Sequence, residues 1–259
     1  MDVNAKGLRV IITAGAGGIG KVTAETFLQN GAKVFISDVD DAALDAMAKA
    51  YPALGLTRCD VSDVKQVDTM FDAALKFLGG LDVMINNAGI AGPTAKVEDV
   101  TPAEWDKTIA VNLNGSFYCT RRAVPALKAA GGGSIVNLSS SAGRLGFPLR
   151  TPYSSAKFAL VGFTESLAME LGPDNIRVNC IQPGIVEGDR IDRVIDAKAK
   201  SLGMTFEAYR ERWLAKVSMR RMVSPQDIAN TILFLCSDAG KNISGQAVPV
   251  CGNIETLGL

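Results

Sequence analysis

Short apolar segments alternate with longer helical segments along almost the whole chain. Apolar stretches such as V-M-I and S-I-V-N-L carry few polar residues, as expected for strands that are covered on both faces. Strands that alternate with helices through short connections form a parallel sheet. The pattern therefore predicts an α/β fold with one doubly wound parallel sheet and helices on both faces. The predicted strands are 8–13, 32–38, 55–60, 81–86, 133–138, 176–182 and about 246–251.

Several helix starts carry a capping residue followed by proline. Thr101 and Ser224 each precede a proline, with an acidic residue two positions further on that completes a capping box. Thr151 precedes Pro152 in the same way, which predicts a helix with Tyr153 in its first turn. The first predicted helix follows the glycines after the first strand and ends at about residue 30. The other predicted helices span 41–51, 63–78, 102–129, 152–171 and 225–237.

Composition excludes several classes of site. The chain of 259 residues has no histidine, which excludes a Ser-His-Asp triad, a Cys-His pair and a His-ligated metal. Its 27 Lys and Arg residues balance 27 Asp and Glu residues, so that we expect neither a nucleic-acid nor a membrane partner. The five cysteines are far apart and form no C-x-x-C pair, which favours buried thiols in a reducing compartment. We predict no metal site and a cytoplasmic location.

A glycine-rich loop follows the first predicted strand. Gly15, Gly17 and Gly20 match G-x-G-x-x-G at a strand-to-helix junction, where close backbone approach favours a pyrophosphate. Asp38 ends the next strand and is placed to accept hydrogen bonds from an adenosine ribose. A P-loop is the rival interpretation, but Val22 stands where that motif needs Ser or Thr. A third interpretation is a structural glycine turn that binds no ligand. Of the three, we favour the loop of a Rossmann-type dinucleotide-binding sheet.

Residues 185–221 break the alternation with two predicted amphipathic helices. No Gly/Ser-rich or Pro-rich linker divides the chain, so we predict one catalytic domain over 1–259 with a helical substrate lid at about 185–221. The apolar stripes of the two helices are Ile191, Val194, Ile195 and Leu202, and Phe206, Tyr209, Trp213 and Val217.

Tyr153 and Lys157 lie four residues apart and share one face of the predicted helix. An ammonium beside a phenol favours the phenolate and lowers its pKa from a usual value of about 10. Such a phenol can exchange a proton with an alcohol or a carbonyl. The hydroxyl of Ser140, at the end of an apolar stretch, is a candidate to hold the reacting oxygen. Taken alone, the Tyr-Lys pair is also compatible with chance.

These motifs together resemble the classical short-chain dehydrogenase/reductase family from residue 8 to 252. The family's T-G-x-x-x-G-x-G begins at Thr13, with Ala14 in place of the first glycine and Gly15 expected to compensate. N-N-A-G is intact at 86–89, while Gly188 stands where a threonine often binds the cofactor. The resemblance implies cofactor binding by Gly17, Gly18, Ile19, Gly20, Asp38, Asp60, Val61, Asn87, Ala88, Gly89, Tyr153, Lys157, Pro183, Gly184 and Val186.

The resemblance also implies a division of catalytic labour. Tyr153 is the expected general acid/base, Lys157 lowers its pKa and holds the nicotinamide ribose, and Ser140 binds the substrate oxygen. Asn112, in V-N-L-N-G, supports Lys157 through water. The implied activity is NAD(P)(H)-dependent interconversion of a secondary alcohol and a ketone by hydride transfer. The cofactor is expected to be NAD rather than NADP, since Asp38 repels a 2′-phosphate and Gly17 and Val39 offer no cation.

The substrate and the assembly are less constrained. Small polyols or sugars, hydroxy acids and 3-oxoacyl compounds are all compatible substrates, and Arg144, Arg190 and Arg193 are candidates to contact an acidic group. The alternatives are a catalytically silent cofactor-binding regulator or scaffold and a sugar-nucleotide epimerase or dehydratase. Apolar residues on helices 102–129 and 152–171, among them Phe117, Val124, Leu160, Phe163 and Leu167, together with the resemblance, predict a homotetramer or homodimer.

Overall fold

Seven parallel strands form one sheet in the order β3-β2-β1-β4-β5-β6-β7. The computed structural model describes residues 3–257, without the side chains of Asp189, Arg190, Ala197 and Ser201. The fold class predicted from the alternating pattern is therefore confirmed. The strands are β1 Arg9–Thr13, β2 Lys33–Asp38, β3 Gly55–Arg58, β4 Val83–Asn86, β5 Gly133–Leu138, β6 Ile176–Pro183 and β7 Ala247–Val250.

Nine α-helices of the described chain connect or flank these strands. Strand β3 ends two residues earlier than predicted, because the backbone N–H of Asp60 binds the Gln66 side chain at 3.0 Å. The helices are α1 Gly18–Gln29, α2 Asp41–Ala50, α3 Val64–Leu78, α4 Pro102–Ile109, α5 Gly115–Ala129, α6 Thr151–Leu171, α7 Asp189–Ser201, α8 Phe206–Leu214 and α9 Pro225–Cys236.

Both faces of the sheet are buried, which is why its strands are apolar at successive positions. Val10 and Ile12 of β1 pack with α1, α2 and α9 on one face. Ile11, between them, packs with α3 and α5 on the other face. Alternate side chains of a strand point to opposite faces, so this pattern makes β1 a central strand of a three-layer fold.

The predicted helix 102–129 is interrupted by a π-helical segment at Ala110–Asn114. Asn112 lies in this segment, where its amide accepts a hydrogen bond from the Ile90 N–H at 2.9 Å and donates one to the Ile90 carbonyl at 3.0 Å. Segments of this kind are frequent at functional sites. The widened turn fixes Asn112 against the loop that follows β4.

Two of the three predicted helix caps are present. Thr101 and Ser224 form capping boxes with Glu104 and Asp227. The prediction for Thr151 was wrong, because α6 already begins at that residue and Arg150 occupies the N-cap position without a side-chain cap. Tyr153 nevertheless lies in the first turn of α6.

Helices α7 and α8 lie beyond the carboxyl edge of the sheet and share a third apolar cluster with the C-terminal segment. Their predicted stripes are largely buried, with Ile195 and Trp213 in the cluster, whereas Leu202 is 41% exposed. Bridges join Val186 to Val223 and Val217 to Ile254 at the base of this region. Among residues 3–257, no helix has both the length and the apolarity needed to cross a bilayer.

Candidate active site

Most of the predicted site residues lie at the carboxyl edge of the sheet. Thr13, Asp38 and Asn86 end β1, β2 and β4, while Leu138 and Pro183 end β5 and β6. Chain order reverses between β1 and β4, and ligands of open α/β sheets bind in the crevice at such a switch point. The topology therefore brings the glycine loop, the 86–89 turn and the Ser140 loop to one edge.

The glycine loop and the 86–89 turn are tied together. The Asn87 amide donates to the carbonyls of Thr13 and Ala14, both at 3.0 Å. The Thr13 hydroxyl accepts from the N–H groups of Asn87 and Ala88, also at 3.0 Å. A Cβ at Gly20 would lie 2.0 Å from the Ala14 carbonyl oxygen, which only glycine avoids. Thr13 was absent from the predicted contacts, although its place at the end of β1 favours such a role.

Ala14 takes a left-handed backbone conformation, with φ of 49°. Gly15, which is expected to compensate for the missing glycine, lies outside the positive-φ region, so the left-handed conformation falls on Ala14 itself. A Cβ at Gly15 would meet the Ile36 side chain at 2.7 Å, so that glycine is required there by packing. The loop keeps its path at the cost of strain at Ala14.

The remaining loop residues fit a cradle for a phosphate-linked ligand. Gly17 is the N-cap of α1, Gly18 has φ of 50° and Ile19 packs on the core, so the helix N-terminus opens onto the crevice. Asp38 accepts hydrogen bonds from the N–H groups of Ala16 at 3.1 Å and Val39 at 2.8 Å. These bonds fix its carboxylate beside the glycine loop.

Asp60 and Val61 follow β3 at the carboxyl edge of the sheet. Asp60 accepts hydrogen bonds from the Ser62 N–H at 2.9 Å and hydroxyl at 2.7 Å. Val61 is buried against Gly115, where a Cβ would come within 2.7 Å of its side chain. This close contact fixes the wall formed by Val61.

Tyr153 and Lys157 lie on one face of α6, as predicted. The ammonium nitrogen of Lys157 is 5.6 Å from the centroid of the Tyr153 ring and donates to the Leu138 carbonyl at 2.6 Å. Lys157 is buried, whereas Tyr153 is partly exposed. A hydrogen-bonded ammonium next to an accessible phenol is an arrangement suited to proton exchange.

Three consecutive serines after β5 have different surroundings. Ser139 and Ser141 are buried, and their hydroxyls donate to the carbonyls of Lys157 at 2.7 Å and Pro183 at 3.0 Å. The Ser140 hydroxyl is partly exposed and accepts from the Ala142 N–H at 3.1 Å. Ser140 thus keeps its own hydrogen for another acceptor, which favours it over its neighbours.

Gly89 separates Asn112 from Lys157. A Cβ at Gly89 would lie 2.7 Å from the Asn112 amide oxygen and 3.4 Å from the Lys157 ammonium nitrogen. Asn112 is fully buried, and its amide is bound to Ile90. The predicted four residues therefore converge on one region, while support of Lys157 through water stays a prediction.

The loop after β6 also lies at the carboxyl edge of the sheet. A Cβ at Gly184 would lie 2.7 Å from the Cys251 backbone, so this position requires glycine. Pro183 is buried, and Val186 is partly buried next to the bridge with Val223. Gly188, which lacks the hydroxyl common at this position, has φ of 127° and precedes α7.

Two buried cations were missed in the sequence. Arg150 lies with its guanidinium carbon 5.0 Å from the Tyr153 ring centroid, and Lys198 of α7 lines a cavity with Phe147 and Trp213. The position of Lys198, four residues after Val194 on the apolar stripe, was a signal that could have found it. Among the predicted arginines, Arg144 donates to the Ile254 carbonyl at 3.3 Å. Arg193 is exposed, and the Arg190 side chain lies outside the described residues.

Comparisons with known proteins find relatives along almost the whole chain. A family model described as enoyl-(acyl carrier protein) reductase matches residues 14–252. A 3α-hydroxysteroid dehydrogenase of Mediterraneibacter gnavus is 34% identical in an alignment of 248 residues that covers 93% of this chain and 94% of that protein.

Solved structures extend the similarity to the whole fold. The structure of an actinorhodin polyketide ketoreductase with NADPH has a TM-score of 0.91 and is 29% identical to this chain. The superposition covers 95% of this chain and 96% of the other. An NAD⁺-bound xylitol dehydrogenase also has a TM-score of 0.91, at 28% identity, with 96% and 99% covered. The chain therefore belongs to the classical short-chain dehydrogenase/reductase family of oxidoreductases.

Proposed function

We propose that this protein interconverts a secondary alcohol and a ketone by hydride transfer, with Tyr153 as general acid/base. The observation that carries the proposal is the convergence of Tyr153, Lys157 and Ser140 beside the glycine loop. A partly exposed phenol, a buried ammonium and an available hydroxyl are together at the carboxyl edge of the sheet. The related dehydrogenases and ketoreductase support the same reaction class.

The residues of the crevice fit a nicotinamide dinucleotide. Gly17, Gly18, Ile19 and Gly20 would hold its pyrophosphate, and Asp38 its adenosine ribose. Asp60 and Val61 would flank the adenine, with the nicotinamide end against residues 87–89, Tyr153, Lys157 and residues 183–186. When bound, this group accepts or supplies the hydride. The Asp38 carboxylate disfavours a 2′-phosphate, so that NAD is the proposed cofactor, although relatives are bound to NAD⁺ or NADPH.

The protein itself handles the proton and the substrate oxygen. Ser140 donates its hydrogen to that oxygen, and Tyr153 takes the alcohol proton in oxidation or returns it in reduction. Lys157 stabilises the phenolate by its charge and is held in place by the Leu138 carbonyl. Asn112 fixes the loop after β4 that closes this side of the site.

Helices α7 and α8 are proposed to form a substrate lid. They cover the residues that follow Ser140, and a groove of about 470 Å³ runs between Leu145–Pro148 and the C-terminal segment at Glu255–Leu257. The proposed substrates are polyols or sugars, hydroxy acids and 3-oxoacyl compounds.

The proposed assembly is a homotetramer or a homodimer. Phe117 on α5 is 49% exposed, and Phe158 and Met169 on α6 are 46% and 85% exposed. Leu160, by contrast, is buried within one chain and does not contribute to such a surface. Exposed apolar residues grouped on two helices are typical of subunit interfaces.

The decisive experiment follows NADH absorbance with NAD⁺ and a panel of secondary alcohols, and with NADH and the matching ketones. Turnover that is lost in Tyr153→Phe supports the proposal. Binding of NADH without turnover of any substrate would instead favour the silent cofactor-binding regulator or scaffold.

A further inference from the structure

Lys157 is bound to the end of β5 through both its side chain and its backbone. Its ammonium donates to the Leu138 carbonyl at 2.6 Å, and its own carbonyl accepts from the Ser139 hydroxyl at 2.7 Å. A carbonyl inside a helix accepts one N–H and keeps a second lone pair, which here receives Ser139. Two adjacent residues at the end of β5 therefore hold one residue of α6.

The Ser139 hydrogen bond is tightly enclosed. Ser139 and Lys157 are both buried. A Cβ at Gly143 would lie 2.5 Å from the Lys157 carbonyl oxygen and closer still to the Ser139 hydroxyl, so the turn after Ser140 packs directly on this bond. A shift of α6 that carried the ammonium away from Tyr153 would leave the Ser139 hydroxyl buried without its acceptor, which is unfavourable.

Ser154 makes a second connection near the start of α6. Its hydroxyl donates to the Ala142 carbonyl at 2.8 Å, and the Ala142 N–H donates to the Ser140 hydroxyl at 3.1 Å. Ser154 directly follows Tyr153 in the first turn of the helix. These two hydrogen bonds in series join the turn that carries the phenol to the hydroxyl that is proposed to hold the substrate oxygen.

We propose that Ser139 and Ser154 are positioning residues of the reaction. Ser139 fixes the Lys157 ammonium relative to the phenol of Tyr153, and Ser154 fixes Ser140 relative to the same phenol. The proposal rests on the function proposed above, since the groups that the two serines position are those of that reaction. The two roles predict different signatures, because an ammonium acts on the pKa of the phenol whereas Ser140 acts on the substrate oxygen.

Several cations surround the phenol, so the test must separate Lys157 from the others. Lys157 and Arg150 both lie over the Tyr153 ring, and the positive charge of Arg150 acts in turn on Lys198 of α7. Removing the Ser139 hydroxyl leaves all three cations in the chain. A change in the pKa of the phenol in that variant therefore reports the placement of Lys157, which is the cation that Ser139 contacts.

The first test titrates the phenol itself by ultraviolet difference absorbance of the phenolate. Subtracting the titration of Tyr153→Phe isolates Tyr153, in the wild type and in each variant. In Ser139→Ala we expect its pKa to rise by about half a unit or more, because the ammonium is held less firmly beside the phenolate. Ser139→Cys, with a weaker donor of similar shape, should show a smaller rise.

Ser237→Ala is the matched control for the loss of a buried hydroxyl. Ser237 is buried after α9, and its hydroxyl donates to the Phe234 carbonyl at 2.9 Å. This variant, like Ser154→Ala, should leave the pKa of Tyr153 unchanged. Measuring Tm of each variant shows whether Ser237→Ala and Ser139→Ala lose comparable stability.

The second test follows alcohol oxidation over a range of pH. In Ser139→Ala, kcat should fall about threefold or more at low pH and return towards the wild-type value once the phenol is ionised. In Ser154→Ala, kcat/KM should fall about threefold at every pH, because the placement of Ser140 does not depend on ionisation. Ser154→Thr should recover part of this loss, and Ser155→Ala, at the exposed next position, should match the wild type.

The outcomes separate the two roles from each other and from the reaction. An unchanged pKa of Tyr153 in Ser139→Ala, or an equal rise in Ser237→Ala, would overturn the role of Ser139. A loss of kcat/KM in Ser154→Ala no larger than that in Ser155→Ala would overturn the role of Ser154. A raised pKa in Ser139→Ala without alcohol turnover in the wild type would support the placement of the ammonium by Ser139 and refute the proposed function.

Discussion

The ammonium of Lys157 lies 5.6 Å from the centroid of the Tyr153 ring, one turn further along α6, and donates to the Leu138 carbonyl. The bond to the end of β5 holds the ammonium in place near the phenol ring. Their separate contributions can be measured.

Tyr153→Phe should abolish turnover while leaving cofactor binding nearly intact, because it removes only the ionisable oxygen. Lys157→Ala should weaken both, since its ammonium is expected to serve the ribose and the phenol. Steady-state kinetics and NADH fluorescence titration measure the two effects. More than about a tenth of wild-type kcat in the Phe variant would refute general acid/base catalysis by Tyr153, which usually contributes at least about 10²-fold.

Asp38→Ala should reduce the ratio of kcat/KM for NAD to kcat/KM for NADP. We expect the wild type to prefer NAD at least about tenfold in kcat/KM, because placing a 2′-phosphate beside the Asp38 carboxylate brings like charges together, at a cost of more than ~1.4 kcal/mol. The Asp38 carboxylate is already fixed by the N–H groups of Ala16 and Val39, so it cannot easily turn away. Equal kcat/KM for both cofactors in the wild type would contradict the prediction.

Ala14→Gly should stabilise the protein. An alanine in the left-handed conformation costs about 1–2 kcal/mol, which glycine avoids. Glycine also has more conformational freedom in the unfolded chain, and this offsets about 0.4–1 kcal/mol of the gain. The expected gain in the free energy of unfolding is about 0.5–1 kcal/mol, measured by denaturant titration. Ala16→Gly, two residues on and outside the positive-φ region, is the control and should destabilise. A loss of stability in Ala14→Gly would show that the methyl group contributes packing that outweighs the strain.

Residues 187–221 should exchange amide hydrogens faster than the sheet in the absence of ligand. Helices α7 and α8 pack in the third apolar cluster, with the C-terminal segment, instead of joining either sheet face, and such peripheral units open at lower free energy. Hydrogen exchange with and without NADH should show protection increasing there and little change in the central strands. Unchanged protection over 187–221 would argue against closure of a lid.

The chain should sediment as a tetramer at micromolar concentration, at about four times its mass of 27.3 kDa. Replacing Phe117 and Phe158 together by Glu should lower the mass, because charges disfavour a buried apolar interface. Val97→Glu, at an exposed position outside α5 and α6, should leave the mass unchanged. A wild-type mass near that of one chain would exclude the assembly.

The order of strands and helices could be predicted from the sequence because it depends on local patterns. Apolar strands, helix caps and glycine turns are each determined by neighbouring residues, so the fold class and most element bounds were predicted. The cap assigned to Thr151 failed because the choice of N-cap depends on how Arg150 is buried against Tyr153 and Phe147. That packing involves the loop after Ser140, whose path has no periodic signal.

The sequence also identified most residues that gather at the site, through motifs whose spacing follows from a parallel sheet. Only the tertiary structure revealed that Ala14 is left-handed, that Asn112 lies in a π-helical segment, and that Ser140 differs from Ser139 and Ser141 in exposure. It alone brought Lys198 of α7 to the Phe147 side chain, which lies 51 residues earlier in the sequence. The reason is physical: charge coupling and burial depend on distances between segments remote in sequence, and local patterns carry no information about these distances.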